Sequence, residues 1–170
     1  MSLISFNPAM LAAVRGGRKT QTRRRLPLDL PMQLEPSRYR YQGLVEEGAV
    51  FEDVQAGTSL PLVPCPYGKP GQVLQVQEDV ALRLVVESLH AEQVRCITAA
   101  DVLAEGIMRR EAAGQALWGG VEPTGVEPGS FHWYGSPTAA FQGLLDSIYP
   151  TAWARNEWVW VVAFKRTPRA

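Results

Sequence analysis

Trp158-Val159-Trp160-Val161-Val162-Ala163-Phe164 is the segment that most narrows the fold of this 170-residue chain. A half-buried strand alternates apolar and polar residues, whereas this run is apolar on both faces. It therefore predicts a strand in the middle of a sheet or barrel, with neighbours on both edges. Trp158 and Trp160 share one face of it and read as core. With 46% hydrophobic residues and five tryptophans, the chain has material for a core of its own.

Around that strand the pattern alternates short strands and short helices. Leu3 to Phe6 reads as a strand. Asn7-Pro8 is a helix cap followed by proline at the first helical position, and Gly16-Gly17 supplies the stop. Thr20 to Arg24 reads as extended. Val73, Leu74 and Val76 mark a strand, Leu82 to Leu89 another, and Val94 to Ile97 a returning strand that would bury Cys96. Thr98 and Asp101 have the spacing of a capping box, opening a helix that runs to Glu105 and stops at Gly106. Ser136-Pro137 repeats the cap-plus-proline start. Phe141, Leu144, Leu145 and Ile148 then recur at helical spacing, and burying each is worth ~1.5–3 kcal/mol before entropy. Residues 27–70, with a hairpin around Tyr39 to Phe51, and residues 107–135 read as long irregular insertions in a single domain of 1–170. The fold class is α+β.

The chain has no net charge, but the charge is uneven. Arg15 to Arg25 holds six cations, no acidic residue precedes Asp29, and Glu46 to Asp53 is acidic. The segment Gly17-Arg18-Lys19-Thr20-Gln21-Thr22-Arg23-Arg24 can hold phosphates or a nucleoside, and it can supply a nucleophile with its activator. A zero net charge excludes a global basic field of the histone-like kind. Cys65 and Cys96 have no Cys-x-x-Cys spacing and His90 and His132 do not cluster with them, so no zinc site is expected. No apolar run approaches the length of a membrane span, and the first residues do not read as a signal peptide. A cytoplasmic location follows as the expectation.

These motifs in this order resemble the ASCH domain, a small β-barrel of the PUA-like superfamily, in its phage and prophage form. Four stretches carry the resemblance. They are Ile4-Ser5-Phe6-Asn7-Pro8 with the octapeptide, Cys65-Pro66-Tyr67-Gly68 with Pro70-Gly71, Ala104-Glu105-Gly106-Ile107, and Trp153 through Phe164. The resemblance implies a PUA-like barrel with flanking helices and a cleft into which the Gly-Arg-Lys-Thr loop projects. It also implies an RNA- or nucleoside-related function. One similar group, the bacterial acetylcytidine amidohydrolases, uses a lysine, a threonine and a glutamate, which map onto Lys19, Thr22 and Glu105. Arg18, Thr20, Arg23, Arg24 and Glu78 are then the expected ligand-binding residues. Gln75 and Gln77 stand where phage members commonly place Trp and Arg.

Three functions follow as expectations. The first is an RNA- or nucleoside-binding module with a basic cleft. The second is an amidohydrolase on an acylated nucleoside, with a ribonuclease behind it. The third is a non-catalytic phage accessory protein. None requires a metal or an organic cofactor. For catalysis, Thr22 would be the nucleophile. An ordinary lysine of pKa ~10.4 is neutral at pH 7 in only about one molecule in 2,500, at a cost of ~4.6 kcal/mol. Lys19 is thus either a base of lowered pKa or a charged stabiliser of the oxyanion with Glu105 carrying the proton. In a regular strand Lys19 and Thr22 point to opposite faces, so a shared cleft demands a turn or bulge between them. Trp118, Phe131, Trp133 and Tyr134 lie in the irregular region and are the candidates for base stacking, and His132 is a weaker ligand candidate.

Overall fold

The computed structural model describes residues 1–120 and 132–167. Along it run β1 (Ser2–Ile4), α1 (Pro8–Arg15), β2 (Gln21–Arg25), α2 (Pro31–Leu34), β3 (Tyr39–Val45), β4 (Gly48–Asp53), β5 (Thr58–Ser59) and β6 (Val73–Val76). There follow β7 (Arg83–Gln93), α3 (Ala99–Ala104), β8 (Met108–Ala112), β9 (Gln115–Gly119), β10 (Trp133–Tyr134), α4 (Pro137–Ile148), α5 (Ala152–Arg155) and β11 (Trp158–Arg166). The architecture is α+β.

β11 lies inside the main sheet, as its double-sided apolar pattern requires. It pairs antiparallel with β7 on one edge and with β2 on the other. Trp158, Val159, Trp160, Val161 and Val162 are all buried. The sheet order is β1-β6-β7-β11-β2, with β1 parallel to β6. The sheet is open: β1 and β2 are its outer strands, so the expected closed β-barrel is not formed among the described residues. A side chain links the two ends instead, because Arg24 Nη2 donates to the carbonyl of Ser5, just after β1, at 2.6 Å.

The expected helix starts are all present. The Asn7 side chain accepts from Met10 N at 2.8 Å and Pro8 opens α1. Thr98 and Asp101 close a reciprocal capping box on α3, and Ser136 caps α4. Each such cap satisfies a backbone donor that the first helical turn leaves open, typically worth ~1 kcal/mol.

Tyr39 to Phe51 falls within the hairpin β3–β4, which with β5 makes a second sheet. Phe51 joins it to the main sheet by an edge-to-face contact with Trp158, ring centres 5.1 Å apart. Residues 27–70 thus carry more regular structure than their prolines suggest.

Four expectations need correction. Val94 to Ile97 is not a returning strand. β7 runs on to Gln93, a short 3-10 turn covers Val94–Cys96, and β11 provides the return. Cys96 is accordingly exposed rather than in the core. Residues 107–135 are not uniformly irregular, because β8 and β9 form a hairpin extended by β10. Alternation there is masked because most of β8 is exposed on both faces. Finally, Ile148 is not buried with Phe141, Leu144 and Leu145 but is 44% exposed, at the end of α4.

Candidate functional site

Lys19 owes its position to a tight turn. Gly17 has φ +79°, a left-handed conformation that glycine enters freely, and the chain reverses there after α1. Lys19 N and Arg18 N both donate to the carbonyl of Ala13. Lys19 then forms an isolated antiparallel bridge with Glu105, and Thr20 N donates to the carbonyl of Ala104 at 2.8 Å. This close approach depends on Gly106, which has φ +102° and whose missing Cβ would lie 3.3 Å from the Lys19 Cβ. The Ala-Glu-Gly-Ile stretch therefore has a steric reason for its glycine.

The bridge brings together charges from distant parts of the chain. Lys19 Nζ donates to Glu105 Oε2 at 2.8 Å and to the Glu105 carbonyl at 3.1 Å. Arg23 Nη1 donates to the other carboxylate oxygen, Oε1, at 2.9 Å. Arg23 Nη2 reaches Glu92 at 2.6 Å and Asp101 at 3.2 Å. Lys19, Thr22, Arg23 and Glu105 are all buried. Two cations and three carboxylates thus form one closed network.

Burial pushes the Lys19 ammonium below its ordinary pKa. Glu105 opposes that shift, and the charges of Arg24 and Arg23 add to it. Arg23 moves the other way: burial disfavours its charge, but Glu105 and Glu92 overcome the burial and raise its pKa. Burial alone would raise Glu92 and Asp101. For Glu92, hydrogen bonds from His90 and Arg23 reverse the sign; for Asp101, those from Thr98, with the charge of Arg23, do so. Both carboxyls end below their ordinary values.

The sign of the pH dependence follows. On acidification the folded state takes up these protons later than the unfolded chain, so the stabilisation holds above the unfolded pKa values of 4.5 and 3.8. It disappears as pH falls through the lowered folded values. Urea unfolding from pH 7 to pH 3 is expected to show this loss, and Glu92→Gln to flatten it. Parallel losses in both proteins would remove Glu92 from the explanation.

A cleft of about 270 Å³ opens beside this network. Lys19, Thr22, Arg23, Arg24 and Glu105 line one side. Phe141, Leu144, Leu145 and Ile148 of α4, with Tyr149, line an apolar side, and Ser5, Phe6, Asn7 and Met10 complete it. The three residues expected to act together, Lys19, Thr22 and Glu105, therefore border one cavity. The odd spacing of Lys19 and Thr22 is no obstacle for two reasons. Lys19 lies in the turn before the strand, and β2 is an outer strand whose unpaired edge lets residues of both faces reach the cleft.

Arg24 organises the mouth. Its Nε donates to Thr22 Oγ1 at 3.2 Å, and its guanidinium lies 5.2 Å from the centre of the Phe6 ring. Thr22 Oγ1 is an acceptor in that bond, so its own proton stays free to move elsewhere.

The remaining expected ligand residues have other places. Arg18 and Thr20 are exposed and outside the cleft. Glu78 is not in its lining either: its carboxylate accepts from Ser5 Oγ and from Phe6 N at 3.2 Å, holding the segment that forms the mouth. Arg23 borders the cleft, but its charge is neutralised by three carboxylates. Trp118, Trp133 and Tyr134 are half-buried in the β8–β10 sheet, with Arg110 stacked 3.9 Å from the Trp133 ring centre. His132 is exposed beside the Tyr134 ring. Phe131 lies outside the described residues.

Sequence reasoning missed Glu92 and the α4 wall as parts of the site, and took Asp101 only as a helix cap. The signal for the wall was Ile148, an apolar residue at the helix end whose burial α4 does not achieve. Among the described residues no helix is long and apolar enough to cross a membrane. No family model, no curated protein and no solved structure matches the chain.

Proposed function

We propose that this protein is an ASCH-like, PUA-related module whose cleft binds a single nucleoside, free or within RNA. The observation that carries the reading is the two-sided lining of the cleft. A flat, partly apolar ring fits against Phe141, Leu144 and Ile148. Its polar edge meets Thr22, Arg24 and the backbone of the Ser5–Phe6 segment. About 270 Å³ is at the small end for ligand sites, which suits one nucleoside rather than a stretch of strand.

A second reading, hydrolysis of an acyl amide on that nucleoside, is favoured by the meeting of Lys19, Thr22 and Glu105. Thr22 Oγ would attack the acyl carbon and pass its proton to the Lys19–Glu105 pair. The charge developing on the carbonyl oxygen would be stabilised by a nearby cation. Collapse returns the proton to the leaving amine and leaves an ester on Thr22, which water then cleaves. Arg24 supports the first step, because a cation donating to Oγ1 stabilises the developing alkoxide.

The test is a panel of modified nucleosides and short RNAs incubated with purified protein and read by mass spectrometry. An N-acylated cytidine is expected to bind and, on the second reading, to lose its acyl mass. If no nucleoside binds at ~1 mM, equivalent to about −4.1 kcal/mol, the binding reading fails.

A further inference from the structure

Arg23, Arg24 and Arg25 are poor candidates for phosphate contacts, because Arg23 is neutralised, Arg24 is committed to Ser5 and Thr22, and Arg25 is paired with Glu157 at 2.8 Å. The free positive charge is elsewhere. A second, larger groove of about 750 Å³ lies beside the Gly16–Thr20 turn. Arg15, Lys165 and Arg166 line it with Thr20 and Thr167, and Arg18 is exposed on the same turn.

We propose that this groove holds the phosphates of a single-stranded oligonucleotide, one nucleoside of which occupies the cleft. The inference rests on the nucleoside reading of that cleft. Three observations support it. First, the charge is unbalanced. Asp79 is the one carboxylate among the described lining residues and it is paired with Arg15 at 2.8 Å. Arg166 has no carboxylate partner among the described residues, and Lys165 has only a distant one, Glu87 at 3.6 Å, with both side chains more than half exposed. Such weak surface pairs yield readily to a phosphate.

Second, the groove is built to keep its cations in place. The Arg166 guanidinium donates to the Arg15 carbonyl, tying the end of β11 to the end of α1. Its position is held without consuming its charge. Thr20 and Thr167 also line the groove, the side-chain type that joins arginine and lysine at phosphate oxygens, and the Thr167 hydroxyl donates to the Arg83 carbonyl at 3.4 Å. Third, Lys19 borders both cavities. A ligand crossing the Gly16–Thr20 turn can therefore occupy both, with backbone in the charged open groove and one base in the small apolar cleft. Phosphate contacts position a strand without reading it, while the cleft selects the nucleoside.

The experiment compares wild type with Lys165→Gln/Arg166→Gln by fluorescence anisotropy on a labelled eight-nucleotide single-stranded RNA over 50–200 mM salt. Polyglutamate of equal charge is the competitor, and a free nucleoside is titrated in parallel. Each single-strand phosphate contact contributes about 0.7 to the log–log salt slope, so the double variant is expected to bind about tenfold weaker with a slope shallower by ~1.4. Nucleoside binding in the cleft is expected to be unchanged. Asp79→Asn, which releases Arg15, is expected to tighten RNA binding. An unchanged slope in the double variant, or polyglutamate competing as well as RNA, overturns the proposal. The two readings fail separately: RNA binding that depends on the groove with no nucleoside binding rejects the cleft as the base site. Nucleoside binding without groove-dependent RNA binding rejects the groove.

Discussion

Glu105→Ala is expected to destabilise the fold by ~3–5 kcal/mol, because it leaves two buried cations without their shared carboxylate. For a chain of this length that corresponds to a melting temperature lower by roughly 6–20 °C in a thermal scan. The reasoning is geometric. Lys19 holds one oxygen of Glu105 at 2.8 Å and Arg23 the other at 2.9 Å, all three side chains being nearly inaccessible to water. Lys19 can escape part of the penalty by releasing its proton, since burial already lowers its pKa. Arg23 cannot, because a guanidinium stays charged, and only Glu92 and Asp101 would remain to neutralise it. Lys19→Met is expected to cost less than Glu105→Ala, because Arg23 still satisfies the carboxylate. Equal stability of Glu105→Ala and wild type would show that this network contributes little to folding.

The second large effect concerns chemistry. If the cleft hydrolyses an acylated nucleoside, Thr22→Val should lower turnover on the order of 10⁶-fold, as loss of a nucleophile does elsewhere. Valine keeps the shape of threonine and removes only the hydroxyl, which here accepts one bond from Arg24. Stability should therefore change by only about 1 kcal/mol. This variant separates the readings that Glu105→Ala cannot, since a purely structural ion pair also explains a loss of stability. Binding of the nucleoside with no turnover in wild type, unaffected by Thr22→Val, would leave a binding module. Full turnover in Thr22→Val would assign the nucleophile elsewhere.

Much of the local structure was legible because its causes are local. The Asn7, Thr98 and Ser136 caps each satisfy donors within three residues, so a short window contains both partners. The central place of Trp158–Phe164 was legible for a similar reason, since apolar side chains on both faces need cover on both. Where the reading failed, the deciding partner was remote. Val94 to Ile97 looked like a strand, but a 3-10 turn takes Val94–Cys96 there, with Val94 N donating to the carbonyl of Glu157, remote in sequence, just before β11. The strands β8 to β10 were hidden because β8 is mostly exposed on both faces and β9 and β10 are mostly half-buried, so no alternation of apolar and polar residues marks them. Ile148 continued the helical spacing of Phe141, Leu144 and Leu145, but spacing cannot report that the core ends one turn earlier.

The site divides in the same way. Sequence alone determined the composition of the cluster: a lysine, two hydroxyls and several arginines placed after a paired-glycine stop, with a glutamate ahead of a second glycine. It could not determine which of those charges remain available to a ligand. That was decided by Glu92 and Asp101, which meet Arg23 across 69 and 78 residues of chain. Electrostatic energy depends on distance and burial in space, not on separation along the backbone. The folded chain therefore turns the apparent cation cluster into a neutralised, buried network, and leaves the free positive charge on the far side of the turn.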